Sequence, residues 1–225
     1  MHPDHKFLHE LQEILTRVQK EYDLSISKFD QLDIRPYFYT ATGNIVYSYL
    51  LLFLSADTTL ANKEWWAKIT ARNEMMEKDH QAIKNLSGMT KHSFFVYFFS
   101  TIEMLHRKTI NILSPEFDKK GIKPYKQIYD HYLTTLSLQE YIPLYDIVRL
   151  IRNTIHSNGV YISKDGTDKI CSWKTSTFAF KHLQSIDLLS VENIIFLTHE
   201  IYDSIEETLN NPCLQKIKYI ENKYN

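Results

Sequence analysis

The residues best suited to chemistry in this chain are Arg149, Arg152, Asn153 and His156, gathered within little more than two helical turns. A guanidinium presents a planar fork of donors that matches a phosphate. An imidazole can take up or release a proton near neutral pH, and an asparagine amide can orient either group. Together they can neutralise a phosphodiester and move a proton beside it. An α-helix turns by about 100° per residue, so with Arg149 as reference Asp146 and Asn153 fall roughly 60° and 40° to one side, and Tyr145, Arg152 and His156 roughly 40°, 60° and 20° to the other. Ile147, Val148, Leu150, Ile151 and Ile155 fill the broader remaining arc. One aliphatic face is therefore expected to be buried, with a stripe of Tyr, Asp, Arg, Arg, Asn and His left over. The stripe contains neither Lys nor Glu, the usual residues of a merely solvated face. Asn158-Gly159 follows His156 and marks the helix stop. The plainer alternative has Asp146 pairing with an arginine, Asn153 bonding locally and His156 capping carbonyls.

The segment Leu150-Ile-Arg-Asn-Thr-Ile-His-Ser-Asn-Gly-Val-Tyr161 resembles the motif of the HEPN superfamily of all-helical domains. That motif is an Arg, a following polar residue, a short spacer and a His near a helix C-terminus. The resemblance is specific over this segment only. Residue by residue, His156 matches the motif His and Asn153 the polar residue. Arg152 has the adjacent Asn but only three residues separate it from His156, whereas six separate Arg149 from it and Arg149 is followed by Leu150. The Tyr that some toxin members carry two residues after the His is replaced by Asn158. The resemblance implies a metal-independent endoribonuclease that acts as a homodimer, a toxin or defence effector with RNA as substrate and an antitoxin protein as partner. It implies Arg152, Asn153, His156 and Arg149 as catalytic residues and Tyr145, Asp146 and Asn158 as substrate-binding ones, with Arg152, Asn153 and His156 innermost. The second reading is a non-catalytic HEPN-like interaction module that keeps the helix for binding or dimerisation.

Composition narrows the setting. A formal net charge of −1 lacks the basic excess of a generic nucleic-acid binder, so any such contact is local. Cys171 and Cys213 have no metal-type spacing and point to a reducing compartment, the cytoplasm. Met1–Glu10 has no apolar core of a leader peptide. Ile45–Leu54 and Phe94–Phe99 are too short to span a bilayer, so no membrane partner is expected. Arg72-Asn73 with His80 mimics the motif by chance, and His2, His5 and His9 sit on a terminus poorly suited to a metal site. No phosphate-binding Gly-rich loop, Ser or Cys nucleophile motif or metal-ligand cluster occurs, so neither metal nor cofactor is expected.

These residues must be carried by a mainly helical scaffold. Apolar spacing predicts helices over Asp4–Tyr22, Asn44–Leu54, Trp65–Leu86, Lys91–Leu113, Tyr125–Leu136, Gln139–Ser157 and Val191–Leu209. Pro36 and Gly43 read as a connection, Asp57 or Thr58 as a cap, Ser87-Gly88 as a stop, Thr90 as the next cap and Ser114-Pro115 as another stop. Asp118–Pro124 reads as a solvated basic tip, and Trp65-Trp66 as core or rim packing. Gly159–Ile162, Lys169–Trp173 and Thr177–Phe180 read as strands, with Asp165-Gly166 turning between the first two. The expectation is one domain over 1–225, a bundle of about six helices with a small β insertion near 159–181 before the last long helix.

Overall fold

A computed structural model describes residues 3–55, 59, 62–72, 75–119, 123–185 and 190–222. In chain order the elements are α1 (Pro3–Ile26), α2 (Ile34–Ser55), α3 (Lys63–Thr70), α4 (Glu77–Leu113), α5 (Tyr125–Thr135), a 3₁₀ turn over Gln139–Tyr141, α6 (Ile142–His156), β1 (Lys169–Trp173), β2 (Ser176–Phe180), α7 (Val191–Leu209) and α8 (Pro212–Gln215). The protein is mainly helical, with a two-stranded antiparallel hairpin before the last long helix. None of the described helices is long and apolar enough to cross a membrane.

Three local stop signals fall inside helices. α2 runs through Pro36 and Gly43 without a break. Pro36 lies in the first turn, where its missing N–H costs no intrahelical bond. A Cβ on Gly43 would stand 3.3 Å from Val18 Cγ1, so the glycine serves the close approach of α1 and α2. Ser87-Gly88 does not end a helix either. The break falls earlier, at Ala71 (φ 53°), and α4 begins where the Asp79 carboxylate accepts from the Met76 N–H at 2.8 Å. Thr90 sits inside α4 and donates its hydroxyl to Leu86 O. Asn62 caps α3 through the Glu64 and Trp65 N–H groups, and Asp57 and Thr58 lie outside the described residues. Trp65 and Trp66 pack edge to face and are half-buried. The expected Trp65–Leu86 helix is thus divided between α3 and α4, and the short α8 is one that the apolar spacing does not predict.

The core is aromatic. Phe94, Phe95, Phe98, Phe99, Ile102 and Leu105 of α4 are buried, each contributing about 1.5–3 kcal/mol of transfer free energy. Around them close Phe38 of α2, Tyr129 and Tyr132 of α5, Tyr145 of α6 and Tyr202 of α7. A wholly buried ion pair locks Leu214 and Ile220 to the start of α2. Asp33 accepts from Arg35 Nε (2.8 Å), from Arg35 Nη2 (2.6 Å) and from the Ile220 N–H (2.8 Å), while Arg35 Nη1 donates to Leu214 O.

The hairpin differs in pairing from the sequence reading. β1 pairs with β2, from Lys169↔Phe180 to Trp173↔Ser176, and Gly159–Ile162 is not a strand, although Val160 bridges Ser185. Asp165 does organise a turn, accepting from the Thr167 N–H and hydroxyl. The hairpin reversal itself lies at Lys174 (φ 49°). Phe178 and Phe180 turn inward and are buried, while Ile170 is exposed on the outer face. Glu200 of α7 clasps the hairpin, accepting from Trp173 Nε1 and Lys174 Nζ, each at 2.7 Å.

Candidate functional site

α6 is positioned from both ends. Pro143 starts it inside the first turn. Asn158 (φ 54°) and Gly159 (φ 81°) end it in the left-handed region, with the Gly159 N–H on Thr154 O at 2.9 Å, the Gly-closed stop expected of such an end. Leu144, Ile147, Val148, Leu150 and Ile151 are buried as the periodicity requires. The opposite stripe emerges in steps. Asp146, Arg149 and Arg152 are half-buried, and Asn153, His156 and Asn158 are exposed.

Asp146 and Arg149 are held by α5, whose part in the site the α6 motif alone does not disclose. The Tyr129 hydroxyl donates to Asp146 Oδ1 at 2.7 Å and accepts from Arg149 Nε at 3.1 Å. Arg149 Nη2 donates to the same carboxylate oxygen at 3.1 Å, and Lys126 Nζ reaches the carboxylate at 3.2 Å. Burial pushes the Asp146 carboxyl upward, but the Tyr129 and Arg149 hydrogen bonds and the Lys126 charge outweigh it and hold it below its ordinary value. Burial, reinforced by the Asp146 carboxylate, raises the Tyr129 phenol and keeps it a donor. Arg149 is therefore fixed in place with its charge compensated. The only sequence trace of this network is that Lys126, Tyr129 and Asp130 share one face of α5 at i, i+3 and i+4.

Arg152 is different. Arg17, Arg35, Arg72, Arg107 and Arg149 each contact a carboxylate. Arg152 contacts none among the described residues. Its guanidinium lies over the Phe99 ring, 5.8 Å from the centroid, and its Nε is buried without a hydrogen-bond partner. A half-buried guanidinium on an aromatic face, with no carboxylate among the described residues to neutralise it, is suited to an anion from outside the chain, met by its outer nitrogens rather than by the buried Nε. Asn153, the next residue, and His156, about one turn on, stand exposed to one side of it on the same helix.

Tyr145 does not line this stripe. The helical wheel places it there, but it is wholly buried, with its hydroxyl on Ser204 Oγ at 2.8 Å and its ring 5.0 Å from that of His106. α7 and α4 cover that side of the first turns of α6, so its role is to seat the helix. His106 is a buried partner that nothing in its sequence neighbourhood singles out. It is fully enclosed, with Nδ1 paired to Tyr125 Oη at 2.9 Å and Nε2 without a partner. Burial drives its imidazole down to about 3, so it is a neutral core group.

Among the described residues no cluster of three or more His, Cys, Asp or Glu could hold a metal ion. Compared with protein-family models, with curated proteins and with solved structures, the chain matches none.

Proposed function

We propose that this chain is a HEPN-type, metal-independent endoribonuclease that acts in the cytoplasm as a homodimer, in the manner of a toxin or defence effector held by an antitoxin. The observation that carries this reading is Arg152, which contacts no carboxylate among the described residues and is followed within about one turn by the exposed Asn153 and His156. The residue types suit chemistry in which RNA supplies its own nucleophile. His156 removes the proton of a ribose 2′-hydroxyl, the oxygen attacks the adjacent phosphorus, and the 5′-oxygen of the next nucleotide leaves with a proton. The products are a 2′,3′-cyclic phosphate and a free 5′-hydroxyl. Arg152 meets the charge that builds on the phosphate oxygens. Asn153 orients the phosphate, Asn158 borders the exit of the helix, and Arg149, fixed by Asp146 and Tyr129, supplies a second donor edge. A second copy of the stripe across a two-fold axis supplies the acid for the leaving oxygen.

The second reading, a non-catalytic interaction module, is favoured by one observation. Arg149, the arginine at the longer spacing to His156, is engaged by Asp146 and Tyr129. The two readings separate in an RNA cleavage assay run in excess EDTA. Cleavage by wild type that is lost in both His156→Ala and Arg152→Ala supports the nuclease. Absence of cleavage at high enzyme concentration, or equal cleavage by the variants, supports the module.

A further inference from the structure

β1 runs alongside α6 in the opposite direction. At one end Trp173 packs on Tyr141, just before α6 begins, with ring centres 5.6 Å apart. Two residues back along the strand, the half-buried Cys171 is near enough to Asp146 and Arg149 to feel both charges, and it also feels Lys169. Lys169 is the next residue on that face of the strand, about 6.6 Å further along. At about 1.5 Å of rise per residue this step covers roughly four residues of α6, from the level of Asp146 and Arg149 toward that of Asn153. Lys169 is paired with Phe180, which is wholly buried, so its side chain leaves from the inner face of the hairpin. It is nevertheless exposed and makes no ion pair or hydrogen bond among the described residues. The strand that presents it is tied down by the Glu200 clasp.

We propose that Lys169 is a phosphate-binding residue of the α6 site, taking the phosphate next to the one held by Arg152 on a single-stranded RNA. This rests on the ribonuclease reading and extends it. The hairpin is then one wall of the site, and the ligand is a strand spanning at least two phosphates. An ammonium on a flexible stem suits a neighbouring phosphate that needs charge but not a planar fork.

The test is fluorescence anisotropy with an end-labelled, fully 2′-O-methylated oligouridylate, which offers phosphates but no 2′-hydroxyl nucleophile, over a series of salt concentrations. A contact to one phosphate of a single strand contributes a slope of about 0.7 in log K against log salt, equivalent to about fivefold in affinity at 0.1 M salt. Lys169→Ala is expected to lose that slope and that affinity. Lys164→Ala, which removes an exposed lysine from the preceding turn, is expected to change neither. If Lys169→Ala binds with the wild-type slope, or Lys164→Ala loses as much, the inference is wrong while the RNA reading stands. If wild type does not bind the strand at all, both fall.

Discussion

His106 makes stability depend on pH in a way that one substitution isolates. Its imidazole is enclosed by Tyr125, Tyr132 and Tyr145, and burial lowers it to about 3 from its ordinary 6.5. The unfolded chain therefore takes up a proton near pH 6.5 that the folded chain refuses until about pH 3. In that window the unfolded state binds more protons, so stability falls as pH falls. The contribution of neutral His106 is fully present above pH 6.5. Each pH unit below that removes about 1.4 kcal/mol, or roughly 5 kcal/mol over the whole interval. His106→Asn keeps an acceptor for the Tyr125 hydroxyl and has no proton to gain. Urea unfolding of both proteins at several pH values between 7 and 4 gives the difference directly. The wild type is expected to lose about 2–3 kcal/mol more than the variant by pH 4.5, and the His106 ring resonance is expected not to titrate above that pH. Parallel stability curves for the two proteins, or a His106 resonance that titrates near 6.5, would show that burial does not keep this imidazole neutral.

Three further outcomes follow from named contacts. Removing one member of the buried Asp33–Arg35 pair, by Asp33→Ala or Arg35→Met, is expected to cost about 3–5 kcal/mol in chemical unfolding, because the other charge stays buried; the double variant should recover part of that loss, and additive losses would count against a coupled pair. Gly43→Leu is expected to lower stability by about 1–3 kcal/mol by forcing α1 from α2, since even a Cβ there meets Val18 at 3.3 Å; an unchanged melting temperature would show the contact to be slack. Arg152→Lys keeps the charge but loses the fork, so cleavage should fall nearly as far as in Arg152→Ala, with a smaller fall in Arg149→Lys. The reverse order in single-turnover kinetics would move the inner site to Arg149.

The aliphatic face of α6, its Gly-closed end and the exposure of Asn153 and His156 were legible in the sequence, because each depends on residues adjacent in the chain. The burial of Tyr145 was not. A helical wheel gives an angle but not what covers it, and here the cover is Ser204 and His106, far away in sequence. Pro36, Gly43 and Ser87-Gly88 carry local stop signals, yet Pro36 falls in a first turn, Gly43 is where α1 meets α2, and α4 runs on through Gly88. The hairpin was found, but the Asp165-Gly166 turn drew attention to the wrong pair of strands. The contrast between Arg149 and Arg152 could not have been read at all, since it is set by Tyr129 and Lys126 of α5 and Phe99 of α4.

The Arg152–Asn153–His156 stripe is proposed to cut RNA through the strand's own 2′-hydroxyl. The most direct measurement is end-group mapping of a single-stranded RNA digested in EDTA, beside the same strand carrying one 2′-O-methyl group at the mapped cleavage site. The expected result is a 2′,3′-cyclic phosphate, a free 5′-hydroxyl and no cut at the methylated position, with all products missing from the His156→Ala digest. Ends with a 3′-hydroxyl and a 5′-phosphate, or a cut at the methylated position, would contradict it.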